Sequence, residues 1–318
     1  MAALRDIIIT GLLLGGIFAL VSVGLSLQYG VGRVLNVSHG EFIMIGSFVT
    51  FWLFGSTIHL NPLLSILVTA PLVFVIGWLL HATLFRRLMH TAPNLDVFEG
   101  QSMLAAFGLL YVVQNIARII WGSQTFKVDY LNTSVTAAQI PVNRLVALGI
   151  VIVVAVIFYL FLSRTRMGKA IRASAQDPTT AGLMGVNINS VLAICYGLGL
   201  AMAGIAGSLI STIYAIQTSM GLQYTVIAMI VVVLGGLGSV RGAFIASLGL
   251  GVIEAFGTVY IGHFLDRDLR GAGGMAEGHH AAVADDEVDA RRGQRVEQQT
   301  RREADVEGFV ERLQDQRQ

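Results

Sequence analysis

The sequence predicts an all-α, polytopic integral membrane helix bundle, and three observations carry that prediction. Apolar residues make up 54% of the 318 residues and charged residues 13%, with a mean hydropathy of +0.70; such a balance belongs to membrane-embedded chains. Apolar runs near the roughly 20 residues needed to cross a bilayer recur along the chain. The connections between those runs segregate by charge, with basic clusters on alternate loops. Eight spans are expected, at about 7–29, 41–60, 62–85, 101–121, 144–163, 191–213, 224–240 and 243–261.

The first run, Ile7 to Leu27, exceeds the apolar core of about 7–15 residues found in a secretory signal and lacks a cleavage site, so it reads as a retained span. Between it and the second lies Val34-Leu-Asn-Val-Ser-His-Gly-Glu-Phe-Ile-Met-Ile-Gly46, bracketed by Gly30, Gly32 and Gly40. Polar and ionisable residues at this depth are costly, and they normally face a bundle interior or a solute pathway. The glycines suggest a broken or re-entrant stretch near residues 28–40, which hydrocarbon tolerates only when protein covers it. Asn36, Ser38, His39 and Glu41 are therefore pathway or gating candidates. The plainer alternative is a hydrogen-bonded His39–Glu41 pair fixing a helix start, with Asn36 and Ser38 as its caps and Glu41 near the positive helix end.

Arg86-Arg87 follows the third span and Arg164, Arg166, Lys169 and Arg172 follow the fifth. By the positive-inside rule both connections face the cytoplasm, as does Arg241 between the last two spans, while Gly122–Asn143 faces outward. Three spans before Arg86 place the amino terminus outside, whereas Arg5 favours inside; a half-span at 28–40 would reverse the parity. Small residues recur at four-residue spacing in Gly11/Gly15/Ala19, Ala203/Gly207/Ser211 and Ser247/Gly251/Ala255, a pattern that lets helix backbones approach. Gly11–Ala19 and Gly199–Ala206 are weakly alike, a hint of an internal repeat. Glu254, alone in the last span, is expected to face the interior with a partner, and Arg118 to snorkel from its helix end.

The inward loop 165–189 is the most structured connection. Met167, Ala170, Ile171 and Ser174 share one helical face, and Arg166, Lys169 and Arg172 line the other. Asp177-Pro178 then reads as an N-cap followed by proline at the first helical position, and Gly185 as a stop after Leu183-Met184. Two short helices of this kind suit either a groove in another protein or a headgroup-contacting loop.

Several chemistries find no support. No phosphate-cradling Gly-x-x-x-x-Gly-Lys-Ser/Thr loop occurs, nor a nucleophile elbow, nor a Cys/His metal constellation. Gly235-Gly-Leu-Gly-Ser-Val-Arg-Gly242 reads as a tight turn between spans. Cys195, the single cysteine, reads as a small buried apolar residue. No cofactor is expected on this chain, and any ATP is hydrolysed by a partner.

Gly24-Leu-Ser-Leu-Gln-Tyr-Gly30 with Arg33-Val-Leu-Asn-Val-Ser-His-Gly-Glu41, then Arg172-Ala-Ser-Ala-Gln-Asp-Pro-Thr-Thr-Ala-Gly-Leu-Met-Gly-Val-Asn187, then Ala203-Gly-Ile-Ala-Gly207 and Gly235–Ala243 resemble, in order, motifs of the high-affinity branched-chain amino acid ABC permeases. The likeness covers residues 5–262 and is greatest to the first of the paired permease subunits. It implies a permease domain at 1–262 in a bacterial inner membrane, forming a heterodimer with a second permease. It further implies two cytoplasmic ATPase subunits and an extracytoplasmic binding protein, with lipid around the bundle and no nucleic acid. The loop 165–189 would then be the ATPase contact, with Arg166, Lys169, Arg172, Asp177, Pro178, Leu183, Met184 and Gly185 as coupling candidates. Urea and short-chain amide permeases of the same family fit the motifs equally. Outside the family stand an ATP-independent carrier or channel and an intramembrane enzyme using His39 and Glu41.

The tail departs from this pattern. Residues 1–263 carry 12 Lys and Arg against 7 Asp and Glu, whereas 264–318 carry 9 Arg, no Lys and 13 Asp and Glu. The segment 263–318 lacks apolar runs and is expected to be disordered. It reads either as a regulatory tail or, as the abrupt change where a span is expected favours, as sequence from a shifted frame.

Overall fold

A computed structural model describes residues 2–55, 60–128, 130 and 142–258. The tail from residue 263, the end of the eighth expected span and most of the outward loop lie outside the described residues. The elements are α1 (Ala2–Gly32), α2 (His39–Gly55), α3 (Ile66–Leu80), a π-turn (His81–Phe85) leading into α4 (Arg86–Thr91), α5 (Leu95–Trp121), α6 (Val142–Arg164), α7 (Arg166–Gln176), α8 (Pro178–Leu183), α9 (Ile188–Ser211) and α10 (Met220–Gly235). The last described helix, α11, covers Val240–Thr258.

Helical segments stand at all eight expected places. Among the described residues six are long and apolar enough to cross a membrane: Ile7–Gly32, Ile66–Thr91, Leu95–Trp121, Val142–Arg164, Ile188–Ser211 and Val240–Thr258. The other two, α2 with 17 residues and α10 with 16, reach only about 24–26 Å, short of a hydrocarbon core of about 30 Å. Each is preceded by non-helical chain, Arg33–Ser38 before α2 and Thr212–Ser219 before α10.

The centre is α9, with α1, α2 and α3 around it. Glycine makes this possible. A Cβ on Gly24 or Gly199 would strike the other's carbonyl oxygen, one on Gly46 would strike Gly204, and one on Gly207 would strike the Ile43 carbonyl. Along α1 and α11, Gly11 and Gly15 meet Val252 and Leu248 in the same way, so the small-residue stripes are sites of backbone contact between helices. Ser47 donates to Gly207 O at 2.8 Å and Thr50 to Ser208 Oγ at 2.9 Å, adding polar links across the same α2–α9 seam.

One end of the bundle gathers Arg33, Arg86, Arg87, Arg164, Arg166, Lys169, Arg172 and Arg241, at the ends of α1, α3–α4 and α6, in α7 and at the start of α11. That end is cytoplasmic by the positive-inside rule. Gly30 packs on Gly238 there, within the glycine turn whose Gly236 and Gly238 take φ of 90° and 81°. The amino-terminal end of α1 then lies at the outer face. Residues 33–38 form no separate half-span: they are the non-helical start of the second crossing, so parity is not reversed.

Candidate functional site

The site starts where α1 ends. Arg33 takes a left-handed φ of 52°, an arrangement that costs a non-glycine residue about 1–2 kcal/mol, and its guanidinium lies 5.8 Å over the Tyr29 ring. The chain turns there and runs back into the bundle. His39 donates from Nε2 to the Val21 carbonyl at 3.1 Å. Val21 stands eleven residues before Gly32, about 17 Å up the helix, and six extended residues span up to about 20 Å. Arg33–Ser38 therefore climbs from the cytoplasmic end to the depth of Val21 before α2 begins. Asn36, Val37 and Ser38 are all buried, so protein covers the irregular backbone.

The start of α2 is held in an unexpected way. Asn36 Oδ1 accepts from Ser38 N–H at 3.2 Å and from Ser38 Oγ at 2.6 Å. Asn36 thus shapes the turn, and neither its side chain nor that of Ser38 caps the helix as the sequence suggested. Of the first amides, His39 N–H bonds Asn36 O at 3.1 Å and Glu41 N–H bonds Ser38 O at 3.0 Å. The Gly40 N–H bonds Thr225 Oγ1 at 2.8 Å. The cap of α2 is a hydroxyl on α10, 185 residues later in the chain.

The first turns of α2 and α10 therefore abut inside the membrane, α2 running outward and α10 inward. A Cβ on Gly40 would overlap Gly221 O, and a Cβ on Gly221 would sit 2.6–2.7 Å from the Glu41 carboxylate atoms. Glu41 lies in the first turn of α2 against the first turn of α10. Two positive helix ends converge there, and one carboxylate between them is the favoured counter-charge. Among the described residues its oxygens, His39 Nδ1 and Asn36 Nδ2 have no hydrogen-bond partner; the expected His39–Glu41 hydrogen bond is absent because His39 turns to Val21. Arg118 is exposed near the carboxyl-terminal end of α5.

Cavities open on either side of this junction. An outer one of about 310 Å³ is lined by Tyr214, Gln217, Gln223, Tyr224 and Glu254 among others. Glu254, expected inside the bundle, is exposed on α11 and faces this space. A cytoplasmic one of about 390 Å³ is lined by Tyr29, Arg33, Asp96, Glu99 and Gly100 among others. Thr225, Gly221 and the outer residues Tyr214, Gln217, Gln223 and Tyr224 were not singled out from sequence. The available signal was the parallel between Ser38-His39-Gly40 and Ser219-Met220-Gly221, each opening a short apolar helix, as corresponding halves of transporters do.

The second candidate group lies in the cytoplasmic loop. Thr165 caps α7 by accepting from Gly168 N–H at 2.9 Å, and Asp177 caps α8 by accepting from Thr179 and Thr180 N–H at 2.9 and 3.2 Å. The Thr180 hydroxyl, which also donates to Asp177, and then the Thr180 and Thr179 amides hold that carboxyl below the usual aspartate range. Gly168, Ile171 and Ser174 are buried, while Arg166, Lys169 and Arg172 are exposed. Pro178 sits at the helix start and Gly185, with φ of 85°, ends the turn after α8. Leu183 and Met184 project 84% and 82% exposed.

This combination defines a multi-pass helical membrane transport protein, with two truncated helices meeting inside the bilayer and a structured basic loop at the cytoplasmic end. The chain belongs to the branched-chain amino acid transport system permease component family, whose model matches residues 7–272. It is 29% identical to the high-affinity branched-chain amino acid transport system permease protein LivH of Salmonella typhimurium, over 79% of this chain and 85% of that one. It is 28% identical to the corresponding protein BraD of Pseudomonas aeruginosa, over 80% and 86%. A probable LivH of Methanocaldococcus jannaschii is 25% identical over 77% and 78%. No solved structure matches the chain. It is a multi-pass inner-membrane permease component.

Proposed function

We propose that this chain is a permease subunit of an ABC importer that moves branched-chain or related amino acids inward. Family membership over residues 7–272 carries the reading. In it a second permease subunit completes the membrane pore, two cytoplasmic ATPase subunits supply the stroke, and an extracytoplasmic protein delivers the solute. ATP acts only on the ATPase subunits. The exposed Leu183-Met184 pair on its capped helix, beside the cations of α7, supports the loop 165–189 as the ATPase contact. The junction of Asn36, Ser38, His39 and Glu41 with Gly221 and Thr225 acts as the hinge of alternating access, since it joins segments whose ends open to opposite sides. The truncated helices and the covered break between them support that role.

Uptake of labelled leucine and labelled urea into vesicles holding this chain with its partner subunits, with and without internal ATP, tests the reading. ATP-dependent leucine uptake is expected. Urea uptake moves the chain to the amide importers, and uptake of either solute without ATP overturns the ABC assignment.

A further inference from the structure

A groove of about 490 Å³ opens between α6 and α11, with α1 as its floor. Ala19, Leu20 and Val23 share one face of α1 and form that floor. Ile152, Val156 and Tyr159 of α6 make one wall and Phe244 and Ile245 of α11 the other; all five wall residues are exposed. The groove closes at its deep end, where α1 meets both walls: a Cβ on Gly16 would strike Val151, and one on Gly15 would strike Leu248. Its lining along α6 runs from Val151 to Leu162, about 17 Å of helix, against a hydrocarbon half-thickness of about 15 Å. Leu162 stands two residues before Arg164, so the groove spans the cytoplasmic leaflet. Every lining side chain is apolar except those of Tyr159 and Arg241.

At the cytoplasmic end the groove runs into a second cavity of about 270 Å³, and the two share Tyr159, Leu162, Val240 and Arg241. Arg172 of α7, Ser163 and Ser239 join the lining there. Both arginines are exposed. Among the described residues no acid lines either cavity.

We infer that this joined space binds one anionic phospholipid of the cytoplasmic leaflet, with an acyl chain in the groove between α6 and α11 and the phosphate between Arg172 and Arg241. A slot one leaflet deep, apolar along its length and cationic at its interfacial end, complements a molecule built the same way with a negative head. Guanidinium groups hold phosphate oxygens in pairs, and basic pockets between spans on this side of the membrane take such headgroups. A soluble anion would leave the groove unfilled, and an apolar helix from another subunit would leave both arginines without a counter-charge. The site goes beyond the importer reading and does not depend on it.

The test uses the full chain with its partner subunits, stripped of lipid in detergent and offered phosphatidylglycerol and phosphatidylcholine of matched chains. Bound lipid is counted by native mass spectrometry, and each variant is compared with the parent so that lipid on other subunits cancels. Phosphatidylglycerol should be retained at least about tenfold over phosphatidylcholine. Arg241→Gln should lower that retention about fivefold, the share of one cation facing an anionic lipid, and Arg241→Lys should keep most of it. Ala155→Trp, which fills the groove from the α6 wall, should remove the lipid, whereas Val153→Trp, exposed and outside the groove, should retain it. An equal loss in Arg87→Gln, a cation of the same end that lines neither cavity, overturns the inference in favour of a merely basic surface. Equal retention of both lipids, or full retention in a folded Ala155→Trp, refutes it as well. Displacement by inorganic phosphate as readily as by unlabelled phosphatidylglycerol reduces the site to an anion seat and refutes the acyl chain. If Ala155→Trp does not fold, the contrast between Arg241→Gln and Arg87→Gln, both at exposed positions, decides.

Discussion

Thr225→Val removes one hydroxyl and keeps the shape of the side chain, which isolates the bond between α10 and the Gly40 amide. That amide is buried, and its partner is Thr225 Oγ1 at 2.8 Å. Leaving a buried donor unmet costs about 1–3 kcal/mol, while side-chain bonds inside membrane bundles average about 0.6 and reach about 1.7 kcal/mol. The present case belongs toward the upper end. The donor is a backbone N–H at a helix start, the site is covered, and the same hydroxyl donates to Gly221 O at 3.3 Å. A loss of about 1–2 kcal/mol lowers the melting midpoint by roughly 2–8 °C in a domain of this size. Cys195, 1% exposed and the single cysteine, makes the assay direct: a fluorogenic maleimide reports unfolding of the solubilised chain as the thiol becomes accessible. Thr225→Ser should keep most of the midpoint. If valine melts with the parent, or serine falls as far as valine, the cross-helix cap is not what holds α2.

Other substitutions address the remaining contacts. Gly221→Ala should destabilise the chain because its Cβ meets the Glu41 carboxylate, and Glu41→Asp in the same chain should recover part of the loss; additive midpoints in the double variant would separate the two positions. Leu183→Glu with Met184→Glu should weaken copurification of the ATPase at least about tenfold without moving the melting midpoint, since both side chains touch solvent; an unchanged pull-down refutes the docking role. For Asp177 the folded carboxyl titrates below its ordinary 3.8, so its contribution is full above that value and disappears as pH falls through the lowered one. Coupled ATPase activity should therefore show no step from Asp177 between about pH 5 and 8. Asp177→Asn should keep coupling and Asp177→Ala reduce it, and a titration step in that window that vanishes in Asp177→Asn refutes the lowered value.

The places of the apolar helical segments were legible because apolar length and basic loops are written locally, as in Arg86-Arg87 after the third run. The break before α2 was legible from Gly30, Gly32 and Gly40 around polar residues. The loop helices α7 and α8 followed from Asp177-Pro178 and the spacing of Arg166, Lys169 and Arg172. What was not legible depends on distant partners. The cap on Gly40 lies on another helix, and His39 answers to Val21 rather than to its neighbour Glu41. The second break, at Thr212–Ser219, was not legible because the residues between a span ending at 213 and the next beginning at 224 read as an ordinary connection. Glu254 was expected inside because a lone carboxylate in a span usually is, yet its helix borders a cavity.

The long separation between Gly40 and Thr225 has a consequence for how the molecule is made. A ribosome adding roughly 5–20 residues per second delivers α10 about 10–40 s after α2. Through most of that interval α1 and α2 lie in the bilayer without α9, the surface against which their glycines close. Nascent chains halted before residue 188 should thus be prey for membrane quality control. Insertion of α2 becomes secure only when the carboxyl-terminal half arrives, so the two halves act as late chaperones for one another.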